Sequence, residues 1–144
     1  MPSFAPIEFP RALVNRILHC AQQEPTREVC GLIGALDGRP VTVYAVQNIA
    51  DAPESRFALE PQQQIAAMRA MRERGEELFA IFHSHPAAPA EPSALDMAQA
   101  GYPDALYLIV SLGTCGVLEL RGFRIEASGG FAEVPLQLRA ETPE

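Results

Sequence analysis

The sequence contains no lysine and no tryptophan, and its eleven basic side chains are all arginines. With 18 acidic residues, the chain carries a formal net charge of −7 at pH 7. Binding to DNA or RNA depends on basic side chains that neutralise phosphates. The composition therefore argues against a nucleic acid as the main partner.

Cysteine is also scarce. The three cysteines, Cys20, Cys30 and Cys115, are odd in number and form no Cys-x-x-Cys pair. This spacing indicates neither a disulfide framework nor a thiolate zinc site, and it favours a reducing, cytoplasmic compartment. Residues 1–6 lack the basic start and apolar core of a signal peptide. No apolar run approaches the ~20 residues of a membrane span, so we expect no membrane association.

A chain of 144 residues is expected to form one domain. It is long enough to bury a hydrophobic core without disulfides or a structural metal. We predict that the core covers about residues 7–135 and that the polar tail, residues 139–144, is frayed. A metal in such a domain is expected to serve catalysis and not folding.

Helical and strand patterns alternate along the chain. Apolar residues at helical spacing predict one helix from Pro10 to about Gln23 and another from Pro61 to Gly75. The buried face of the second helix is expected to carry Ile65, Ala67, Met68 and Met71. Asp37-Gly38 predicts a hairpin turn. Predicted strands cover residues 27–36, 39–48, 56–59, 77–85, 105–112, 117–120, 122–125 and 131–134.

Two of the three histidines, His83 and His85, end the apolar run 78–82. Side chains alternate along a strand, so both imidazoles should point to one face and Ser84 to the other. Two neutral imidazoles at a strand end are half of a zinc site, and Asp96 is a candidate third ligand. The alternative is a pair of polar residues on a wet strand face. The apolar strand and the cost of burying unpaired imidazoles argue against it.

The segment after the histidines, residues 86–92, contains three prolines. Prolines exclude a helix interior or a central strand, so we predict a stiff loop followed by a short helix over 93–100. Ser93 and Asp96 form a Ser-x-x-Asp pattern, which taken alone is typical of a capping box. A capping box and a metal ligand are compatible here, because a helix start can present Asp96 to the histidines. A carboxylate oxygen bound to zinc, however, is not also free to cap.

The His-Ser-His-Pro motif at 83–86, followed after six residues by Ser93 and then by Asp96, resembles a known signature. It is the His-x-His-Pro-x(6)-Ser-x-x-Asp motif of JAMM metalloproteases (Mov34/MPN/PAD-1 domains), and Glu28 falls where that family has a glutamate. The resemblance covers roughly residues 7–126. With the element order, it implies an α/β fold with a mixed, mostly antiparallel sheet flanked by helices, in the cytidine-deaminase-like architecture. The Cys-x-x-Cys of the deaminases themselves is absent.

The resemblance implies that His83, His85 and Asp96 bind one Zn²⁺, with a water in the fourth position. Three protein ligands and an open position are typical of catalytic zinc, which lowers the pKa of its water toward ~7. Glu28 would take the proton of that water and pass it to the leaving amine. Ser93 would donate a hydrogen bond to the oxyanion. Without the other motif residues, Glu28 is best interpreted as a solvated acid before a strand.

The family hydrolyses peptide or isopeptide bonds, often after the C-terminal Gly-Gly of ubiquitin-like proteins. The loop 48–61 leaves little room for the insertions of eukaryotic deubiquitinases. The chain looks more like stand-alone bacterial members, some of which trim the tails of sulfur-carrier proteins. Two alternatives stay open: a JAMM peptidase acting on cell-wall or phage-tail peptides, and a non-catalytic MPN scaffold. An export signal would favour the cell-wall or phage-tail peptidase, and a missing motif residue would favour the non-catalytic scaffold. The sequence predicts no oligomeric state.

Overall fold

The computed structural model describes residues 5–93, 101–102, 104–114, 117–126 and 130–139. The predicted helix beyond Ser93, the centre of the predicted turn at 113–116 and the tail after Arg139 lie outside these ranges. The elements follow the order β1 (Ile7–Pro10), α1 (Arg11–Gln23), β2 (Cys30–Leu36), β3 (Arg39–Val46), α2 (Pro61–Glu73), β4 (Glu77–His85), β5 (Leu106–Thr114), β6 (Val117–Ile125), β7 (Phe131–Val134) and β8 (Leu136–Arg139).

Six strands form one mixed sheet in the order β3-β2-β4-β5-β6-β7. The β4–β5 pair is parallel, whereas the other neighbouring pairs are antiparallel. The strongly apolar β5 is an interior strand, as expected for a strand buried on both faces. The arrangement confirms the predicted α/β fold with a mostly antiparallel sheet.

The two helices pack on different faces of this sheet. Helix α1 buries its apolar stripe in a cluster with Phe82 and Leu108. Helix α2 buries Ala67 and Met71 in a cluster with Ile81 and Tyr107. Successive side chains of a strand point to opposite faces of the sheet. Phe82 and Leu108 therefore lie on the α1 face, and their chain neighbours Ile81 and Tyr107 lie on the α2 face. No helix within the described ranges is long and apolar enough to cross a membrane.

Both predicted turn signals act as expected. Asp37 and Gly38 connect β2 to β3 with φ angles of 51° and 78°. Positive φ at both central residues is the requirement of a two-residue type I′ hairpin. Gly75, with φ of 73°, lies just after α2 and provides the left-handed residue that commonly ends a helix.

Several predicted strands were wrong in extent. Residues 56–59 form no strand, only an isolated bridge from Leu59 to Asn48. The two predicted strands on either side of Arg121 are one strand, β6. Gly122, the first residue of the second predicted strand, lies within β6 and pairs with both neighbouring strands, and a Cβ there would lie 3.0 Å from Leu136. This glycine therefore allows close packing inside a strand and does not mark a turn.

Two other features differ from the prediction. Ile65 was expected on the buried face of α2, but it is 61% exposed. It lies two residues before the buried Ala67, which is about 200° around a helix, so it points away from the sheet. The pairing of β1 with β8 was not predicted. Each strand has only four residues, and the two lie at opposite ends of the chain, so no local sequence pattern predicts that they pair.

Candidate metal centre

His83 and His85 end β4 in the interior of the sheet, between β2 and β5. Both are buried, with 2% and 3% exposure. Their Nε2 atoms are 3.1 Å apart, so the two rings converge on one point. Two nitrogens in a tetrahedral zinc site, with Zn–N bonds of ~2.0–2.1 Å, are separated by about 3.3 Å. The observed spacing therefore fits two ligands of one ion.

Glu28 brings a carboxylate to the same place. It lies two residues before Cys30, which starts β2 and pairs with His83 in the β2–β4 register. One ligand atom from each of Glu28, His83 and His85 lies within 4.8 Å of the others. Glu28 is only 5% exposed. Segments far apart in sequence thus converge in one buried group of three possible metal ligands.

The two remaining motif residues follow the loop after His85. Ser93 is exposed at the end of that loop. Asp96 lies outside the described residues. The ligand role of Asp96 and the oxyanion role of Ser93 stay predictions.

The proline loop fixes the ring of His85. Nδ1 of His85 donates a hydrogen bond to the carbonyl oxygen of Pro89 at 2.8 Å. A carbonyl can only accept, so Nδ1 carries a proton, and in the neutral imidazole Nε2, which faces His83, then keeps its lone pair. A backbone carbonyl behind the ring is the usual support of a metal-binding histidine. The arrangement directs Nε2 of His85 toward His83, as a metal site built from both rings would require.

Interactions with β5 and β6 hold this loop in place. Ser111 Oγ donates to the carbonyl oxygen of Ala88 at 2.7 Å. Ala90 is fully buried and packs with Ile109 and Phe123. Sequence reasoning did not single out Ser111, because a serine inside an apolar strand gives no sign of which loop it contacts. The loop is therefore anchored beside the histidines.

Cys30 lies beside this group but is not an alternative nucleophile. Burial, with a smaller contribution from the Glu28 carboxylate, raises the pKa of the Cys30 thiol to about 12. Its Sγ donates to the carbonyl oxygen of Val46 at 3.4 Å. A thiol with this pKa is protonated at neutral pH and lacks the thiolate character of a reactive cysteine.

Phe57 covers His83. The two rings stack with centroids 4.5 Å apart and planes inclined by 21°. The same phenylalanine lines a cavity of about 410 Å³ together with Leu59, Tyr102 and Tyr107. Apolar and aromatic walls with a few polar groups are typical of ligand pockets. Phe57 therefore both lines this cavity and contacts the ring of His83. From sequence, none of the residues that line the cavity was assigned to a ligand pocket.

Ser84 supports the group from the other face of β4. Its N–H donates to the carbonyl oxygen of Val29 at 3.0 Å, and its Oγ accepts from the N–H of Val29 at 2.8 Å. Ser84 is fully buried. These two bonds join the residue that follows Glu28 to the residue between the two histidines.

Replacement of Ser84 by alanine is expected to lower the free energy of unfolding by about 1–3 kcal/mol, because the N–H of Val29 loses its acceptor. Urea denaturation followed by circular dichroism measures the change. Ser55→Ala is a matched control, since the Ser55 hydroxyl is exposed and lies a long 3.5 Å from the carbonyl oxygen of Ala52. Its effect should stay within about 0.5 kcal/mol. Equal stability of Ser84→Ala and the wild type would contradict a structural role for this hydroxyl.

Comparison with known proteins gives consistent matches. A family model of prokaryotic homologs of the JAB domain matches residues 10–125. The chain is 36% identical over 93 residues to a desampylase of Haloferax volcanii, covering 63% of this chain and 67% of the relative. It is 33% identical over 128 residues to the CysO-cysteine peptidase of Mycobacterium tuberculosis, covering 88% and 86%. A solution structure of a Desulfitobacterium hafniense protein matches with a TM-score of 0.83 and 34% identity, covering 94% of both chains.

Proposed function

The chain belongs to the family of prokaryotic homologs of the JAB domain, and from this membership we propose that it is a zinc-dependent peptidase. Its reaction is hydrolysis of an amide bond at the C-terminal tail of a ubiquitin-like or sulfur-carrier protein. The observation that carries the proposal is the buried convergence of Glu28, His83 and His85. Family membership agrees with the resemblance of the His-Ser-His-Pro motif to the JAMM signature.

The donor atoms of this group suit zinc. Imidazole nitrogens and carboxylate oxygens are its common ligands in catalytic sites. His83 and His85 would hold the ion through their converging Nε2 atoms, and Asp96 is the third ligand that the family signature assigns. Zinc at this position would supply a water whose pKa is lowered toward ~7, and hence a nucleophile at neutral pH.

Glu28 acts as the proton carrier in this proposal. Its carboxylate, held within 4.8 Å of both imidazoles, takes a proton from the attacking water. It then gives that proton to the amide nitrogen, which leaves as a neutral amine. Because Glu28 is buried, few solvent molecules compete for the proton.

Ser93 is proposed to stabilise the developing oxyanion. Its hydroxyl would donate a hydrogen bond to the scissile carbonyl oxygen as negative charge forms there. The exposed position of Ser93 at the end of the anchored proline loop is compatible with contact to a bound substrate.

The names of the relatives support the substrate class. One is a desampylase and another a CysO-cysteine peptidase, which favours a conjugate of a ubiquitin-like or sulfur-carrier protein. Such a tail is extended, and extended peptides commonly add a strand to the open side of a sheet. Strand β3 is an edge strand of the six-stranded sheet. Its last residue, Val46, pairs with Cys30, which lies two residues after Glu28 in the chain.

Intact mass spectrometry tests this function. The zinc-loaded protein is incubated with small sulfur-carrier and ubiquitin-like proteins whose C-terminal Gly-Gly is extended by one cysteine or a short peptide. We expect loss of the extension and a product that ends in Gly-Gly. Carriers in which Gly-Gly is replaced by Val-Val are the control and should be cleaved much more slowly. Zinc binding without cleavage of any carrier would contradict the proposal and favour a scaffold.

A further inference from the structure

The side chain of Asn48 uses its whole hydrogen-bonding capacity on main-chain groups. Its Nδ2 donates to the carbonyl oxygens of Glu28 and Arg56, at 2.9 and 3.0 Å. Its Oδ1 accepts from the N–H groups of Ala50 and Ala58, at 3.0 and 2.9 Å. A primary amide has two N–H donors and one oxygen with two lone pairs, so all four positions are used. One side chain therefore ties the segment that carries Glu28 to the loop after β3.

This loop contacts the candidate metal centre at two further points. The N–H of Glu28 donates to the carbonyl oxygen of Pro53 at 2.6 Å. Phe57 stacks on the ring of His83. Both main-chain polar groups of Glu28 are thus bonded to the loop or to Asn48. The same loop therefore covers His83 and supports Glu28.

Asn48 lies two residues beyond the last pair between strands β2 and β3. The last pair of the β2–β3 ladder joins Cys30 to Val46, and continuing that register would place Glu28 opposite Asn48. Neither residue belongs to a strand in the described ranges. Backbone groups outside a ladder need other partners. The Asn48 side chain supplies such a partner to Glu28 at the point where the β2–β3 pairing no longer holds the two segments together.

We propose that Asn48 is a positioning residue that holds Glu28 and the loop bearing Phe57 as one rigid unit over the histidines. Its effect on catalysis rests on the proposed peptidase function, whereas its effect on local structure does not. A general base must stay within hydrogen-bond reach of the proton that it takes, and an error of about 1 Å can cost ~100-fold in rate. His83 and His85 are held by the β4 pairings instead, so zinc uptake should not depend on Asn48.

The test compares Asn48→Asp with Gln47→Ala. Aspartate keeps the size and the two acceptor contacts of Asn48 but removes both donors, including the bond to Glu28. Gln47 is the neighbouring amide, and its side chain accepts a hydrogen bond from Gln63 at 3.4 Å. We expect kcat for tail cleavage to fall about 30- to 100-fold in Asn48→Asp, with KM and zinc affinity within about 3-fold of wild type. Gln47→Ala should stay within about 3-fold in all three quantities.

Amide hydrogen exchange of the zinc-free proteins gives a readout that needs no activity. In Asn48→Asp the Glu28 amide should exchange at least about 10-fold faster, and the Ser84 amide, bonded to Val29, should be unchanged. Unchanged exchange at Glu28, or an unchanged kcat, would overturn the proposal. If the wild type cleaves no tail, the peptidase function fails, and the Glu28 exchange rate alone then decides the role of Asn48.

Discussion

Glu28→Gln is expected to reduce kcat for tail cleavage by about 10²–10⁴-fold while one zinc stays bound per chain. Glutamine has nearly the shape of glutamate, so the buried position should be kept, but an amide cannot take a proton from water. The two imidazoles that converge at 3.1 Å are unaltered, so zinc uptake should persist. Steady-state kinetics and metal analysis of the same preparation measure the two quantities.

Glu76→Gln is the matched control. Glu76 is also a buried glutamate, but its carboxylate accepts hydrogen bonds from Thr42 at 2.8 Å and Tyr44 at 2.7 Å, outside the metal-ligand group. Its loss is expected to affect stability and not kcat at temperatures where the protein is folded. Cleavage at the wild-type rate by Glu28→Gln would show that another group is the base. Loss of zinc together with activity would show that Glu28 is a metal ligand.

Replacement of His83 or His85 by alanine is expected to weaken zinc binding by more than ~100-fold and to abolish cleavage. Loss of a residue that only supports a ligand already costs 10- to 100-fold in metal affinity, and loss of the ligand itself should cost more. Isothermal titration of the zinc-free variants measures the affinity. The physical reason is the convergence of both Nε2 atoms on one point.

The third histidine supplies the control for this pair. His19 is exposed on α1, where its ring lies 3.2 Å from the side-chain amide of Gln23. His19→Ala should keep the zinc affinity and the cleavage rate of the wild type. Wild-type affinity in both His83→Ala and His85→Ala would contradict the assigned ligands.

The sequence predicted those features that depend on neighbours along the chain. The alternation of side chains in β4 is local, so it placed His83 and His85 on one face before any partner strand was known. The positive φ angles at Asp37 and Gly38 follow from residue types that tolerate them. The prolines after His85 excluded regular structure for the same local reason.

Features that depend on contacts between distant segments were harder to predict. Glu28 was selected through resemblance to a family, because periodicity does not show that Cys30 pairs with His83. Asn48 and Phe57 fall in predicted strands, and local patterns do not show that the Asn48 side chain bonds Glu28 or that Phe57 stacks on His83. The apolar type of Ile65 predicts burial, but its side chain is 61% exposed, because residue type alone does not show which face of the helix meets the sheet.

Zinc held by His83 and His85 is proposed to make this chain a peptidase. The most direct measurement is cleavage of a Gly-Gly-extended carrier by one preparation before chelation, after chelation and after zinc is restored, with metal content determined at each stage. We predict one zinc per chain in the active samples, no cleavage after chelation, and recovery with one equivalent of zinc. Cleavage at the original rate by the zinc-free chain would contradict it.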